Sequence, residues 1–191
     1  MNTGRDSKMG HSRFIRSFFC LLAIVGLVAS ALAHRLDECL VSVKLRFEEG
    51  RILATYRVVP GVEVYDQFEA LIDRDGSGDI SEEEERGYAQ SLLDDSLLTL
   101  DGVGLSFKFV ESQIWGRDVL VEGGGAIVVK ASCDVTSESG LHVFEFVCSH
   151  QSEISGYLTN AMLPKDPNVF IRSQKRSHDQ SRIRVSYEIV K

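Results

Sequence analysis

Val41-Ser42-Val43-Lys44-Leu45-Arg46-Phe47 sets an apolar side chain at every odd position and a polar or charged one at every even position. Side chains of an extended chain alternate between two faces, so this period of two marks a strand with one face buried and one wet. Glu48-Glu49-Gly50 turns the chain, and residues 52–59 return as a second strand. Pro60-Gly61 ends that strand because proline cannot donate to a ladder. The same signals recur downstream. Residues 97–100 lead into the turn Asp101-Gly102, and Leu105, Phe107 and Phe109 alternate with Ser106 and Lys108 beyond it. Further strands are expected at 118–121, 126–133, 141–148, 155–163, 169–172 and 182–190. Many short strands separated by turns predict a mainly β chain, folded as an antiparallel β-sandwich-like domain over residues 34–191. Gly123-Gly124-Gly125 reads as a turn or bulge, without the following helix that a phosphate-cradling loop requires.

One stretch, residues 64–95, departs from the period of two. Phe68, Leu71 and Ile72, and then Tyr88, Leu92 and Leu93, fall at helical spacing on either side of a polar segment. That segment, residues 73–84, reads Asp-Arg-Asp-Gly-Ser-Gly-Asp-Ile-Ser-Glu-Glu-Glu. Its oxygen donors stand in the order of the twelve-residue EF-hand calcium loop. Calcium takes six to eight oxygens, so a chain that binds it wraps around the ion. In that arrangement Asp73, Asp75 and Ser77 offer side-chain oxygens, Asp79 its backbone carbonyl, Ser81 a contact through water, and Glu84 both carboxylate oxygens. Gly78, sixth in the loop, supplies the sharp bend, and Ile80, eighth, points to the core. The expected fold is therefore a sandwich carrying one EF-hand helix-loop-helix, with calcium as its cofactor. A single loop suggests an affinity near the ~10⁻⁴–10⁻³ M of extracellular modules. Glu82, Glu83 and Glu85 add negative charge beside the ligands and also suit a helix start.

The 191 residues are 43% hydrophobic and 26% charged, within the range of an ordinary globular chain. The formal charge of −7 gives no electrostatic footing for a phosphate backbone, so nucleic acid is not an expected partner. Arg5, Lys8, Arg13 and Arg16 precede an apolar run over residues 18–28 and then Ala31-Leu32-Ala33, the order of a secretory signal peptide. Cleavage is expected after Ala33. It removes four of 21 basic and one of 28 acidic residues, leaving 17 against 27 and a net charge of −10. The apolar run is shorter than the ~20 residues that span a bilayer, and no later run is longer. The expected product is exported, periplasmic or extracellular, with calcium and an unidentified envelope protein as its partners.

Three cysteines remain after cleavage. In an oxidising compartment Cys133 with Cys148 is the expected pair, and three buried free thiols are the alternative. On the strand that runs into His150, residues His142, Phe144, Phe146, Cys148 and His150 share one face, which offers Cys148 and His150 to a soft metal. An amino-terminal His34 could chelate copper through its amine and imidazole. These residues define an alternative role in nickel or copper handling. Arg172, Lys175, Arg176, His178, Arg182 and Arg184 make the C-terminal region basic, read as a solvated surface. No nucleophile elbow and no His-Glu-x-x-His motif is present, so no catalytic residues are assigned.

Several segments together carry a resemblance: Ala33-His34-Arg35-Leu36-Asp37-Glu38, Pro60-Gly61-Val62, Ala70-Leu71-Ile72-Asp73-Arg74-Asp75, and Leu98-Thr99-Leu100-Asp101-Gly102. Asn160-Ala161 with Pro164, and residues 172–175 followed by Gln180, extend it. The chain resembles a family of exported bacterial EF-hand-containing proteins without assigned function. It is also distantly similar to the extracytoplasmic domain that precedes the membrane helices of nickel permeases of the hydrogenase- and urease-accessory type. The resemblance implies a calcium loop on a β-rich exported domain, and it implies no transport.

Overall fold

The computed structural model describes residues 37–136 and 138–191. The signal segment expected at 1–33, and His34, lie outside the described residues. Among the described residues ten strands form two sheets: β1 (Cys39–Glu48), β2 (Arg51–Val59), β3 (Ser96–Leu100), β4 (Val103–Leu105), β5 (Lys108–Ile114), β6 (Ile127–Asp134), β7 (Gly140–Cys148), β8 (Ser155–Ala161), β9 (Val169–Arg176) and β10 (Arg182–Ile189). The first sheet has the order β5-β6-β2-β1-β8 and the second β4-β3-β7-β10-β9. All pairings are antiparallel except β1 with β8, which run parallel. This is the expected mainly β, sandwich-like architecture.

The alternation that defines β1 sets its packing. Val41, Val43, Leu45 and Phe47 are buried while Ser42, Lys44 and Arg46 face outward. Across the core, Phe144 and Phe146 of β7 and Ile183, Val185 and Tyr187 of β10 bury the facing side of the second sheet. Aromatic rings lock the layers together. Phe47 meets Phe144 edge-on at 5.4 Å between centroids and Tyr187 at 4.8 Å, and Tyr56 meets Phe146 at 6.3 Å. Such pairs add about 0.5–1.5 kcal/mol beyond the area they bury.

Two expectations change. The strand expected after Asp101-Gly102 is two strands, β4 and β5, in different sheets. Phe107 lies at the crossing, buried against Tyr56 and Phe146, so its side chain fills the seam while the backbone changes layer. The strand expected at 118–121 is a short helix instead, over Arg117–Val121. The glycines after it end a helix. The Gly123 N–H donates to the Leu120 carbonyl at 2.9 Å and the Gly124 N–H to the Val119 carbonyl at 3.0 Å, the paired bonds of a Schellman cap. Gly123 has φ +70°, the left-handed conformation this cap requires.

The helical interruption supplies the other two helices. Counting in chain order, α1 is Tyr65–Ile72, α2 is Glu82–Asp94, and α3 is Arg117–Val121. Tyr65, Phe68 and Ile72 of α1 and Tyr88, Ala89, Leu92 and Leu93 of α2 are buried. Phe68 and Tyr88 meet edge-on at 5.6 Å. No helix among the described residues is long and apolar enough to cross a membrane.

Candidate metal centre

The acidic segment lies between α1 and α2, and its polar groups are arranged by its own side chains. The Asp73 N–H still donates to the Glu69 carbonyl at 2.9 Å, so the loop starts as the last turn of α1 ends. The Asp73 side chain then folds over the turn at Ser77 and Gly78. Its Oδ2 accepts the Gly78 N–H at 2.8 Å and its Oδ1 the Ser77 N–H at 3.0 Å. Asp75 Oδ1 accepts that same Ser77 N–H at 2.9 Å. The Ser77 hydroxyl donates to the Asp79 carbonyl at 3.0 Å. Gly78 has φ +85°, where a Cβ would be strained, and this turn brings the second half of the loop back. Ile80 is partly buried against the core.

The loop closes on Glu84. Ser81 caps α2: its hydroxyl accepts the Glu84 N–H, and the Glu84 carboxylate accepts the Ser81 N–H at 2.9 Å and its hydroxyl at 2.7 Å. The other carboxylate oxygen accepts the Arg74 N–H at 2.8 Å and the Asp75 N–H at 3.3 Å. The bonds from Ser81, and then those from Asp75 and Arg74, stabilise the ionised form and hold the carboxyl down at about 2. Helix cap and loop closure thus share one side chain.

Among the described residues, Asp73, Asp75 and Glu84 form a group whose ligand atoms lie within 4.8 Å of one another. Oxygens held 2.3–2.6 Å from one calcium ion can be at most about 5 Å apart, so the three carboxylates fit a single coordination sphere. All are hard oxygen donors, the ligand class that calcium and magnesium sites use. Ser77, Asp79 and Ser81 stand in the same loop, engaged in its internal hydrogen bonds.

The other sequence candidates fare differently. Cys148 and His150 are both buried on the shared inward face, yet both imidazole nitrogens are committed. Nδ1 meets Asp95 Oδ2 at 2.7 Å and Nε2 meets the Tyr88 hydroxyl at 3.1 Å, so His150 ties the sheet to the end of α2. The expected Cys133–Cys148 disulfide is absent, and Cys39, Cys133 and Cys148 are free and buried. Cys133 ends β6 in one sheet and Cys148 ends β7 in the other, so sequence order does not bring them together. Burial pushes the Cys39 thiol up to about 12 and those of Cys133 and Cys148 upward too. Such thiols pack as small apolar groups. In the basic C-terminal region Arg172 pairs with Glu188 and Arg184 with Glu145, at exposed positions.

Sequence reasoning missed the side-chain partners of the buried histidines, because Asp101, Asp95 and Tyr88 stand 41, 55 and 62 residues away and leave no local pattern. His142 meets Asp101 Oδ2 at 2.8 Å and the Glu138 carbonyl at 3.0 Å. Burial alone would press its pKa below the ordinary 6.5, but the Asp101 bond and the Glu138 carbonyl outweigh it, and the net shift is upward. For His150 burial dominates, Asp95 offsets only part, and the net shift is downward. The signs make opposite demands on pH. Stability from His142 is complete below 6.5 and is lost as pH rises through its raised value, while that from His150 is present above 6.5 and lost as pH falls. Urea midpoints measured from pH 5.5 to 8 should pass through a maximum near neutrality. His150→Gln should flatten the acid limb and His142→Gln the alkaline limb; matching profiles would refute the opposed shifts.

No family model matches the chain, and no curated protein matches it either.

Proposed function

We propose that this is an exported calcium-binding protein whose EF-hand loop, residues 73–84, takes one ion and staples α1 and α2 to the sandwich, for stability or to support an interaction. The observation that carries the reading is the convergence of Asp73, Asp75 and Glu84 within 4.8 Å, at the first, third and twelfth places of the loop. In it Ser77 and the Asp79 carbonyl would add further ligand oxygens, and Ser81 would act through water. Calcium would supply charge neutralisation for three carboxylates held close together. The Glu84 side chain already lies across the loop, so binding orders little new chain. The rival role in nickel or copper handling draws no support at Cys148 and His150, since both His150 nitrogens are occupied.

The test is the thermal unfolding midpoint in chelator and across a calcium titration, with magnesium as control. A ligand that binds only the folded state stabilises by RT ln(1 + [L]/Kd), about 2.7 kcal/mol at a hundredfold excess over Kd. For a chain of this size that raises the midpoint by roughly 5–10 °C. A calcium-selective rise is expected, setting in as calcium passes about 0.1–1 mM and growing logarithmically above that. An unchanged midpoint at 10 mM calcium would reject the reading.

A further inference from the structure

A guanidinium stands against the loop from outside it. Arg117 opens α3, in the connection between β5 and β6, and that short helix is held by the glycine cap at its far end. The Arg117 side chain grips Glu69 of α1 with two nitrogens: Nε pairs with Oε1, and Nη2 donates to Oε2 at 2.9 Å. The buried Tyr65 donates its hydroxyl to the same carboxylate at 3.2 Å. The third nitrogen, Nη1, faces Gly78, where a methyl group would lie 3.4 Å from it. Gly78 in turn donates its N–H to Asp73, the first residue of the loop. One positive and one negative charge, both foreign to the twelve-residue motif, therefore sit beside it on a fixed support.

We propose that Arg117 and Glu69 act on the cation affinity of the loop in opposite senses, each holding the other's effect in check, a step that rests on the calcium reading. A doubly charged ion in the loop is repelled by Arg117 and attracted by Glu69. While the pair is intact, the two effects largely cancel at the ion. Neutralising either member leaves the other uncompensated, so the two substitutions must change affinity in opposite directions. The loop's own cation, Arg74, lies over Gly87 of α2, while Glu69 pairs with Arg117, so Arg74 is not placed to take over when Arg117 is replaced. The Arg117 side chain is half exposed, so the effect is screened by salt and modest in size.

The experiment is calorimetric calcium titration of the wild-type protein, Arg117→Gln, Glu69→Gln and the double variant, at low salt and at 0.5 M salt. At low salt Arg117→Gln is expected to tighten binding about three- to tenfold and Glu69→Gln to weaken it by a similar factor. The double variant should return to within about twofold of wild type, and high salt should shrink all the differences. If the pair were only a mechanical strap, both single variants and the double variant would weaken binding alike, and that result overturns the proposal. Equal affinities throughout overturn it as well. A wild-type protein that binds no calcium rejects the underlying reading, and a calcium-binding wild type with insensitive variants rejects this step alone. Unfolding midpoints in chelator, read for every variant, keep changes in folding apart from changes in binding.

Discussion

Replacing Phe47 by alanine is expected to destabilise the protein by about 3–5 kcal/mol. Phe47 is fully buried at the end of β1, and its ring meets Phe144 and Tyr187, which belong to the other sheet. The substitution removes the apolar transfer energy of the ring and opens a cavity between layers that cannot collapse without moving whole strands. With urea slopes of about 1–3 kcal/mol per M, the midpoint should fall by roughly 2 M. Leu97→Ala provides the contrast: Leu97 is 69% exposed, and its loss should cost no more than about 0.5 kcal/mol. A Phe47→Ala variant within about 1 kcal/mol of wild type would mean that the two sheets do not depend on this contact.

That contact also shows how far the sequence could be read. The alternation around Phe47 gives the strand and its buried face directly, because period and burial are local properties of the chain. Which strand faces which is not local. The parallel neighbour of β1 is β8, more than a hundred residues away, and nothing in either segment announces the pairing. The turn at Asp101-Gly102 was legible because a positive φ at two successive residues demands such residue types. The step from β4 to β5 was not, since Phe107 continues the apolar alternation while the backbone leaves one sheet for the other. At 118–121, Val119, Leu120 and Val121 read as a strand, and the capping bonds of Gly123 and Gly124 decide for a helix.

The same division runs through the loop. The proposed ligand order was visible because a chain that binds calcium must wrap the ion with neighbouring residues, so such a pattern is written in consecutive positions. The supports of the loop come from elsewhere. Arg117 reaches Glu69 across 48 residues, and His150 reaches Tyr88 across 62. Contacts of this kind arise from the docking of α1 and α2 on the sandwich, and only the assembled fold shows them.

Glu84→Gln is expected to weaken calcium binding on the order of 100-fold while costing the calcium-free protein about 1–2 kcal/mol. The two halves of this expectation come from the two duties of one side chain. As the twelfth loop residue, Glu84 would contribute both oxygens and a full negative charge; glutamine keeps one oxygen and no charge. As the third residue of α2, Glu84 accepts the Ser81 N–H and closes the capping box. Glutamine keeps that bond through its amide oxygen, but its NH2 cannot accept the Arg74 and Asp75 N–H groups that the second carboxylate oxygen takes, so part of the loop closure is lost. The variant should therefore unfold in chelator within about 2 kcal/mol of wild type and lose most of the calcium-dependent rise in its midpoint. Glu82→Gln, which removes the same charge at the start of α2 but outside the ligand positions, should change affinity only a few-fold, through the local field. If Glu84→Gln and Glu82→Gln altered calcium binding equally, the acidic segment would be acting as a diffuse charge and not as a coordinating loop. A loss of stability in chelator as large as the loss in calcium would assign Glu84 to the helix cap and loop closure without a ligand role.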